Sequence, residues 1–351
     1  MSTCVDIMLF DLQGLQALAV KHGEKSFRGL QIAEWLYLRG VASFSQMTNL
    51  PKNFRAKLEE GFSLDRPQVL LKEKSSDKTT RYLLRFADGA LSEIVAIPSK
   101  KRLTVCVSTQ AGCAMGCIFC ATGRLGLNRS LFPGEILMQL AIVAEDFSGT
   151  RVSNVVVMGQ GEPFANYDAT LSALRMMNDA ALFGIGARHI TVSTAGLVSQ
   201  IRQFALEDEQ FTLAVSLHSA NQRTRNYLMP GLAKQPLKNL QSALIEYMDK
   251  TSRRPSLEYA LIKDVNDSDE ALASMLAFCD VPAPGFHVNL ITLNAVENQD
   301  GDLPEFERPS AATVNRFEQG LLRAGISVSK RISKGGSIAA ACGQLSSKIT
   351  P

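Results

Sequence analysis

The rhythm of apolar and polar positions changes twice along the chain. From residue 5 to about 63 the apolar residues recur at mostly helical spacing, as in Phe27, Leu30, Ile32, Trp35 and Leu36, and Pro51 opens a further helix after Met47-Thr48-Asn49. From 66 to 97 the rhythm shortens to alternation, in Val69-Leu70-Leu71, in Arg81 to Phe86 and in Ile94 to Ile97. Asp88-Gly89 stands between the last two runs, and this tight-turn pair predicts a β-hairpin. Beyond residue 103, short apolar runs alternate with amphipathic stretches. Strands are predicted at residues 103–108, 154–158, 189–193, 212–216, 257–262 and 286–293. One intervening helix starts at Pro133, a residue suited to a first helical turn, and puts Ile136, Leu137, Leu140, Val143, Ala144 and Phe147 on one face.

Six strand–helix units imply parallel strands joined by right-handed crossovers. The expected fold is therefore α/β: a partial (β/α)6 barrel at residues 99–351, preceded by a helical domain at 1–65 and a β-hairpin linker at 66–98. Barrels of this kind place their chemistry at the C-terminal ends of the strands. Here the second strand runs into Gly159-Gln160-Gly161-Glu162-Pro163 and the third ends in Ser193-Thr194-Ala195-Gly196. The fourth ends in Ser216-Leu217-His218-Ser219 and the sixth in Asn294. Each alone reads as a strand-to-helix turn with a cap. Four of them at one mouth read as a site.

Composition narrows the setting. Of 351 residues 46% are hydrophobic, ample for a core, and the net charge of +3 provides no global field for nucleic acid, so any basic surface must be local. The first twenty residues hold no Lys or Arg and include Asp6 and Asp11, unlike a secretory leader, and no apolar run is long enough to cross a bilayer. A soluble, cytoplasmic protein without a membrane partner is expected. Seven cysteines, an odd number, point to metal ligands or reactive thiols in such a compartment more than to a disulfide framework.

Three of them carry the strongest signal. Cys113, Cys117 and Cys120 stand at C-x3-C-x2-C spacing, with Phe119 before the last. Three thiolates on one loop can hold three corners of a four-iron cluster and leave one iron open to a ligand. Zinc is the alternative, but it wants a fourth ligand, and His22, His189, His218 and His287 show no paired spacing near the loop. Outside the cluster motif, Cys106 lies on the first barrel strand. Cys342 sits in Ala339-Ala340-Ala341-Cys342-Gly343-Gln344-Leu345, slim enough to enter a crowded pocket. Free cysteines are more often inert and buried, and Cys4 and Cys279 are read so.

The cysteine loop behind a first barrel strand, followed in register by Gly161-Glu162, resembles the radical S-adenosylmethionine (SAM) superfamily. The combination of residues 106–113, the cysteine loop, Gly-x-Gly-Glu-Pro, Ser-Thr-Ala-Gly, Ser-Leu-His and Ala-Ala-Cys-Gly-Gln-Leu is similar to the RlmN/Cfr family of radical SAM RNA methyltransferases. The likeness runs nearly the whole length and includes Phe27 to Trp35. It implies a [4Fe-4S] cluster on Cys113, Cys117 and Cys120, and two SAM molecules per turnover. Gly161, Glu162, Ser193, Ser216, Leu217, His218 and Asn294 match the positions that contact SAM. In the implied reaction Cys342 first takes a methyl group, a deoxyadenosyl radical removes hydrogen from that S-methyl, and the carbon radical adds to an adenine carbon. Cys106 then releases the product through a transient disulfide with Cys342. Glu93, which on residues alone is a surface carboxylate of the hairpin, is implied to face the adenine edge.

The implied substrate is an adenosine of 23S rRNA, methylated at C2, with the tRNA adenosine 3′ of the anticodon as a second target. Methylation of the same rRNA base at C8, as in Cfr, uses the same residues. Two other classes predict differently: a radical SAM activase of a protein partner needs no Cys342, and a zinc-stabilised RNA-binding module holds zinc. A flavodoxin or ferredoxin is the implied electron donor, and a monomer is expected. An adenine must leave its stack to be reached, so RNA requires local positive charge. Eight basic residues against four acidic ones at 72–102, and five basic with no acidic at 319–351, are candidates, as are seven basic residues between Lys21 and Lys57. Two departures from the family pattern stand out: Gln160 where Met is common, and Ser337 where an acidic residue is usual.

Overall fold

A computed structural model describes residues 5–100, 102–294, 305–331 and 334–346; Cys4 lies outside them. Ten strands form its main sheet: β1 (Gln68–Lys74), β2 (Thr80–Arg85), β3 (Leu91–Ser99), β4 (Arg102–Cys106), β5 (Val152–Val157), β6 (Ile190–Thr194), β7 (Thr212–Ser216), β8 (Ser256–Leu261), β9 (His287–Thr292) and β10 (Ser327–Arg331). Their spatial order follows their chain order. The pairs from β1 to β4 are antiparallel, and those from β4 to β10 are parallel. Among the described residues β1 and β10 are the two edges, so the barrel is open.

The fold is the expected α/β barrel with two adjustments. Seven parallel strands are present where the pattern predicts six. The added one, β10, reads Ser-Val-Ser-Lys-Arg and is half-buried at a sheet edge, so it lacks the apolar run that marks a buried strand. The hairpin, in turn, continues the barrel sheet: β3 pairs with β4, setting Val95 opposite Cys106. Cross-strand partners point to the same face, and side chains alternate along a strand, so Glu93, Val95 and Cys106 share one face. The turn at Asp88-Gly89 forms as predicted, with the Asp88 carboxylate accepting from the Ala90 N–H at 3.0 Å and Gly89 at φ +84°.

Helices Leu12–Lys21, Phe27–Ala33 and Lys52–Gly61 make up most of the N-terminal segment. Leu15, Leu18, Ile32, Leu36, Phe54 and Leu58 are buried in a core continuous with that of the barrel. The join is helix Pro133–Asp146, whose residues from Gly134 to Val143 are all buried. Its Gly134 lets the segment come close: a Cβ there would stand 2.5 Å from the Tyr37 hydroxyl and 2.7 Å from the Met8 carbonyl oxygen. Gly134→Val should therefore lower unfolding stability by about 1–3 kcal/mol, the usual scale for overpacking, as read from urea or thermal unfolding. An unchanged midpoint would mean that the two parts are not packed this closely.

Candidate active site

Two adjoining cavities open where the parallel strands end. One, of about 170 Å³, is lined by Cys113, Cys117 and Cys120 on one side and by Glu162, Ser193, Ser216, His218 and Asn294 across from them. The other, of about 250 Å³, is lined by Cys106, Ile97, Val156 and Lys334. Cys342, Cys120, Met158 and Arg331 line both.

The cysteine loop is fixed by backbone contacts. Gly112 (φ +78°) has no room for a side chain, since a Cβ would stand 2.0 Å from the Gly126 carbonyl oxygen, which accepts from the Cys113 N–H at 2.8 Å. Ile118 N–H donates to Leu228 at 3.1 Å and Gly231 N–H to Met115 at 3.0 Å, holding the loop against the chain after β7. Among the described residues no trio of His, Cys, Asp or Glu is close enough to hold a single metal ion; the three sulfurs instead line one wall of a cavity. Burial pushes the Cys113 thiol up to about 11 and raises Cys117 and Cys120, and charge on Cys120 further opposes ionisation of Cys113 and Cys117. The three can be thiolates together only around a cationic core. Three soft donors on a cavity wall fit an iron–sulfur cluster with one unligated iron.

Glu162 is buried, and its carboxylate accepts from Thr194 Oγ1 at 2.7 Å, Phe164 N–H at 2.9 Å and Ala195 N–H at 2.6 Å. These bonds tie the exit of β5 to the end of β6. Burial raises its pKa, opposed by the same three donors. Gly161 (φ +98°) is required, because a Cβ would meet the Gln110 backbone nitrogen at 2.8 Å. His218 is held at φ +53°, and its Nδ1 accepts from Ala260 N–H at 3.0 Å. The proton therefore sits on Nε2, and burial lowers the imidazole pKa to about 3, so it is a neutral donor. Leu217 is the exception among the predicted contacts: fully buried, it lines neither cavity.

The segment carrying Cys342 is pinned from four directions. Asp77 accepts from Gly335 N–H at 3.2 Å, and Asn294 Nδ2 donates to the Cys342 carbonyl at 3.1 Å. Gly343 accepts from Ala121 N–H at 2.7 Å and Leu345 from Thr122 Oγ1 at 2.7 Å, one and two residues after the last loop cysteine. Finally, Ser346 N–H donates to Glu93 Oε1 at 3.1 Å. Cys342 itself is exposed, whereas Cys106 is buried; both are free thiols. Glu93 is 1% exposed, lines neither cavity, and has its other oxygen 3.5 Å from Arg81 Nη1. Gln160 serves this region: its Oε1 accepts from Glu93 N–H at 3.2 Å and its N–H donates to Ser108 Oγ at 2.7 Å. Ser337 is exposed.

Reasoning from sequence missed three residues that help to build the site. Arg331, at the end of the unpredicted strand β10, lines both cavities with Glu258 Oε2 3.7 Å away. Thr122 anchors the Cys342 segment, and Arg225 lies buried behind the cysteine loop. No motif marks them; only β10, had it been recognised, would have placed Arg331 at the barrel mouth.

Residues 5–64 match the family described as ribosomal RNA large subunit methyltransferase N-terminal domain, and residues 107–276 match the radical SAM superfamily. A probable dual-specificity RNA methyltransferase RlmN of Pelotomaculum thermopropionicum is 42% identical over 98% of this chain and 92% of its own length. Its namesake from Clostridium tetani is 40% identical over 98% and 97% respectively. The crystal structure of a radical SAM methyltransferase from Sphaerobacter thermophilus superimposes with a TM-score of 0.89 at 39% identity, covering 98% of this chain and all of that one.

Thiol reactivity gives a direct check on the two cavities. Burial pushes the Cys106 thiol up to about 12, so below that pH it stays protonated, and its reactivity should climb steadily from pH 8 to 10. Iodoacetamide at pH 8 should label exposed Cys342 at least tenfold faster than Cys106, as read by peptide mass spectrometry. Comparable rates would contradict the described placement.

Proposed function

Since the chain belongs to the RlmN family of radical SAM methyltransferases, we propose that it methylates C2 of an adenosine in 23S rRNA through an S-methylcysteine at Cys342. The tRNA adenosine 3′ of the anticodon is its second target, in keeping with the dual specificity in its relatives' names. The observation that carries this reading is the place of Cys342, an exposed sulfur lining both the cavity of the loop cysteines and the cavity of Cys106. The cofactors are a [4Fe-4S] cluster and SAM; when bound they supply a transferable methyl group and, on one-electron reduction, a hydrogen-abstracting radical.

The chain's residues divide the remaining work. Cys113, Cys117 and Cys120 hold the cluster. Gly161 gives SAM close access to the backbone, while Glu162, Ser193, Ser216 and Asn294 offer it polar partners and neutral His218 a donor. Leu217 contributes as core beneath them. Cys342 accepts the methyl group and carries it to the base. Cys106, protonated at neutral pH and facing the same cavity, gives up its proton and bonds to the Cys342 sulfur as the bond from that sulfur to the product carbon breaks. The electron pair of the broken bond stays with the carbon, which takes up a proton; a thiol reductant then reopens the disulfide. Glu93 binds the amidine edge of adenine, which must displace the Ser346 N–H that now occupies its Oε1. In this reading residues 1–65 form an RNA-binding domain and 66–98 a hairpin linker to the barrel at 99–351. The chain acts as a monomer in the cytoplasm, with flavodoxin or ferredoxin as electron donor.

The deciding experiment is to identify the methylated nucleotide and atom, by mass spectrometry of digested rRNA and tRNA, in cells with and without the gene. Methyl at C8 would replace the C2 reading, and no change in RNA would end it. Cys342→Ala should abolish methyl transfer to RNA, a loss of more than a hundredfold, while reductive SAM cleavage persists. Cys106→Ala should leave RNA crosslinked to protein on a denaturing gel; an active variant without crosslinks would contradict its role.

A further inference from the structure

Arg225 projects from helix Gln222–Leu228 into the barrel and is 3% exposed. Its Nη2 donates to the carbonyls of Ala195 at 2.6 Å and Ser216 at 3.4 Å, and Nη1 lies 3.4 Å from the Met229 sulfur. Among the described residues its Nε has no hydrogen-bond partner, and no carboxylate stands within ion-pair distance of the guanidinium. Other arginines near the site differ: buried Arg81 is paired with Glu73 and Glu93, and half-buried Arg331 faces Glu258. A buried cation without a counter-charge is among the costlier arrangements in a protein, so a negative group at the site would offset it.

The elements around Arg225 indicate where that charge lies. The helix that bears it ends at Leu228, whose carbonyl accepts from Ile118 within the cysteine loop. Leu228, Met229 and Leu232 pack against Met115, Cys117, Ile118 and Phe119. Cys117 is the group that favours the charged form of Arg225, against the burial that lowers its pKa to about 10; it remains a cation at neutral pH.

We propose that Arg225 is the fixed counter-charge of the cysteine loop, stabilising the three thiolates and, more strongly, the cluster after it has gained an electron. Reduction adds one negative charge, so a buried cation beside the loop favours the reduced form and makes the midpoint potential less negative. The assignment rests on Cys113, Cys117 and Cys120 holding the cluster. It is distinct from substrate recognition, because Arg225 lines neither cavity.

The test is a dithionite titration, followed by electron paramagnetic resonance, of full-length protein reconstituted anaerobically with iron and sulfide. Wild type, Arg225→Gln and Arg225→Lys are compared, with iron counted on each. Arg225→Gln should move the midpoint potential to more negative values, and Arg225→Lys, which keeps the charge, should stay close to wild type. If Arg225→Gln binds no iron but Arg225→Lys does, with a wild-type potential, the charge assignment stands. Equal potentials in all three proteins would overturn it. So would loss of iron from both variants, which would make Arg225 a brace for the loop. Wild type that binds no iron would instead overturn the cluster reading itself.

Discussion

The site depends on backbone lying against backbone where β4 and β5 leave the sheet. A Cβ on Gly159 would meet the Val107 carbonyl oxygen at 2.7 Å, and one on Gly161 would meet the Gln110 nitrogen at 2.8 Å. Gln160 between them bonds to Ser108 and to Glu93. The loop after β4 carries the three cysteines and the loop after β5 carries Glu162. Their contact therefore sets the cysteine wall of the cavity relative to its polar wall. Glu162 passes the constraint on to β6 through Thr194 and Ala195. Loops with larger residues here would have to separate, and the cavity would lose its shape.

Burial of charge is the second constraint. Glu162, Arg225 and Glu258 are buried where water is scarce, and each would be expensive alone. Within the described residues some are paired: Glu162 by three donors, Arg331 by Glu258. Arg225 lies beside the cysteine loop, opposite in sign to the charge that its sulfurs carry as thiolates. A site of this kind is poised for an occupant that brings its own charge, and its polar groups are already oriented before one arrives.

The placement of Cys342 depends on elements far from it in the chain. Residues 334–346 bring Cys342 to the junction of two cavities, tied to the β1–β2 turn by Asp77, to the cysteine loop's helix by Thr122, to β9 by Asn294 and to β3 by Glu93. Although burial alone would raise it, bonds from Ser75, Thr79 and Gly335 hold the Asp77 carboxyl well below the usual range, so it accepts as a carboxylate at neutral pH. The antiparallel hairpin thus takes part in the site. It supplies one wall for the tail and, through Glu93, one of its anchors.

Much of this was legible in the chain. Apolar periodicity set the helices, the hairpin and six of the seven parallel strands, because burial on both faces demands continuous apolar runs. Cysteine spacing marked the loop whose three sulfurs line one cavity wall, because groups brought together on one loop must be close in sequence. Tertiary structure alone decided what depends on distant segments meeting. β10 is half-exposed and has no periodic signature; its place, and that of Arg331, follows from pairing with β9. The burial of Glu93 beneath Ser346, the anchoring of Cys342 by Asp77 and Thr122, and the isolation of Arg225 join residues tens to hundreds of positions apart. Local pattern records which face of an element is dry, but not which other element covers it.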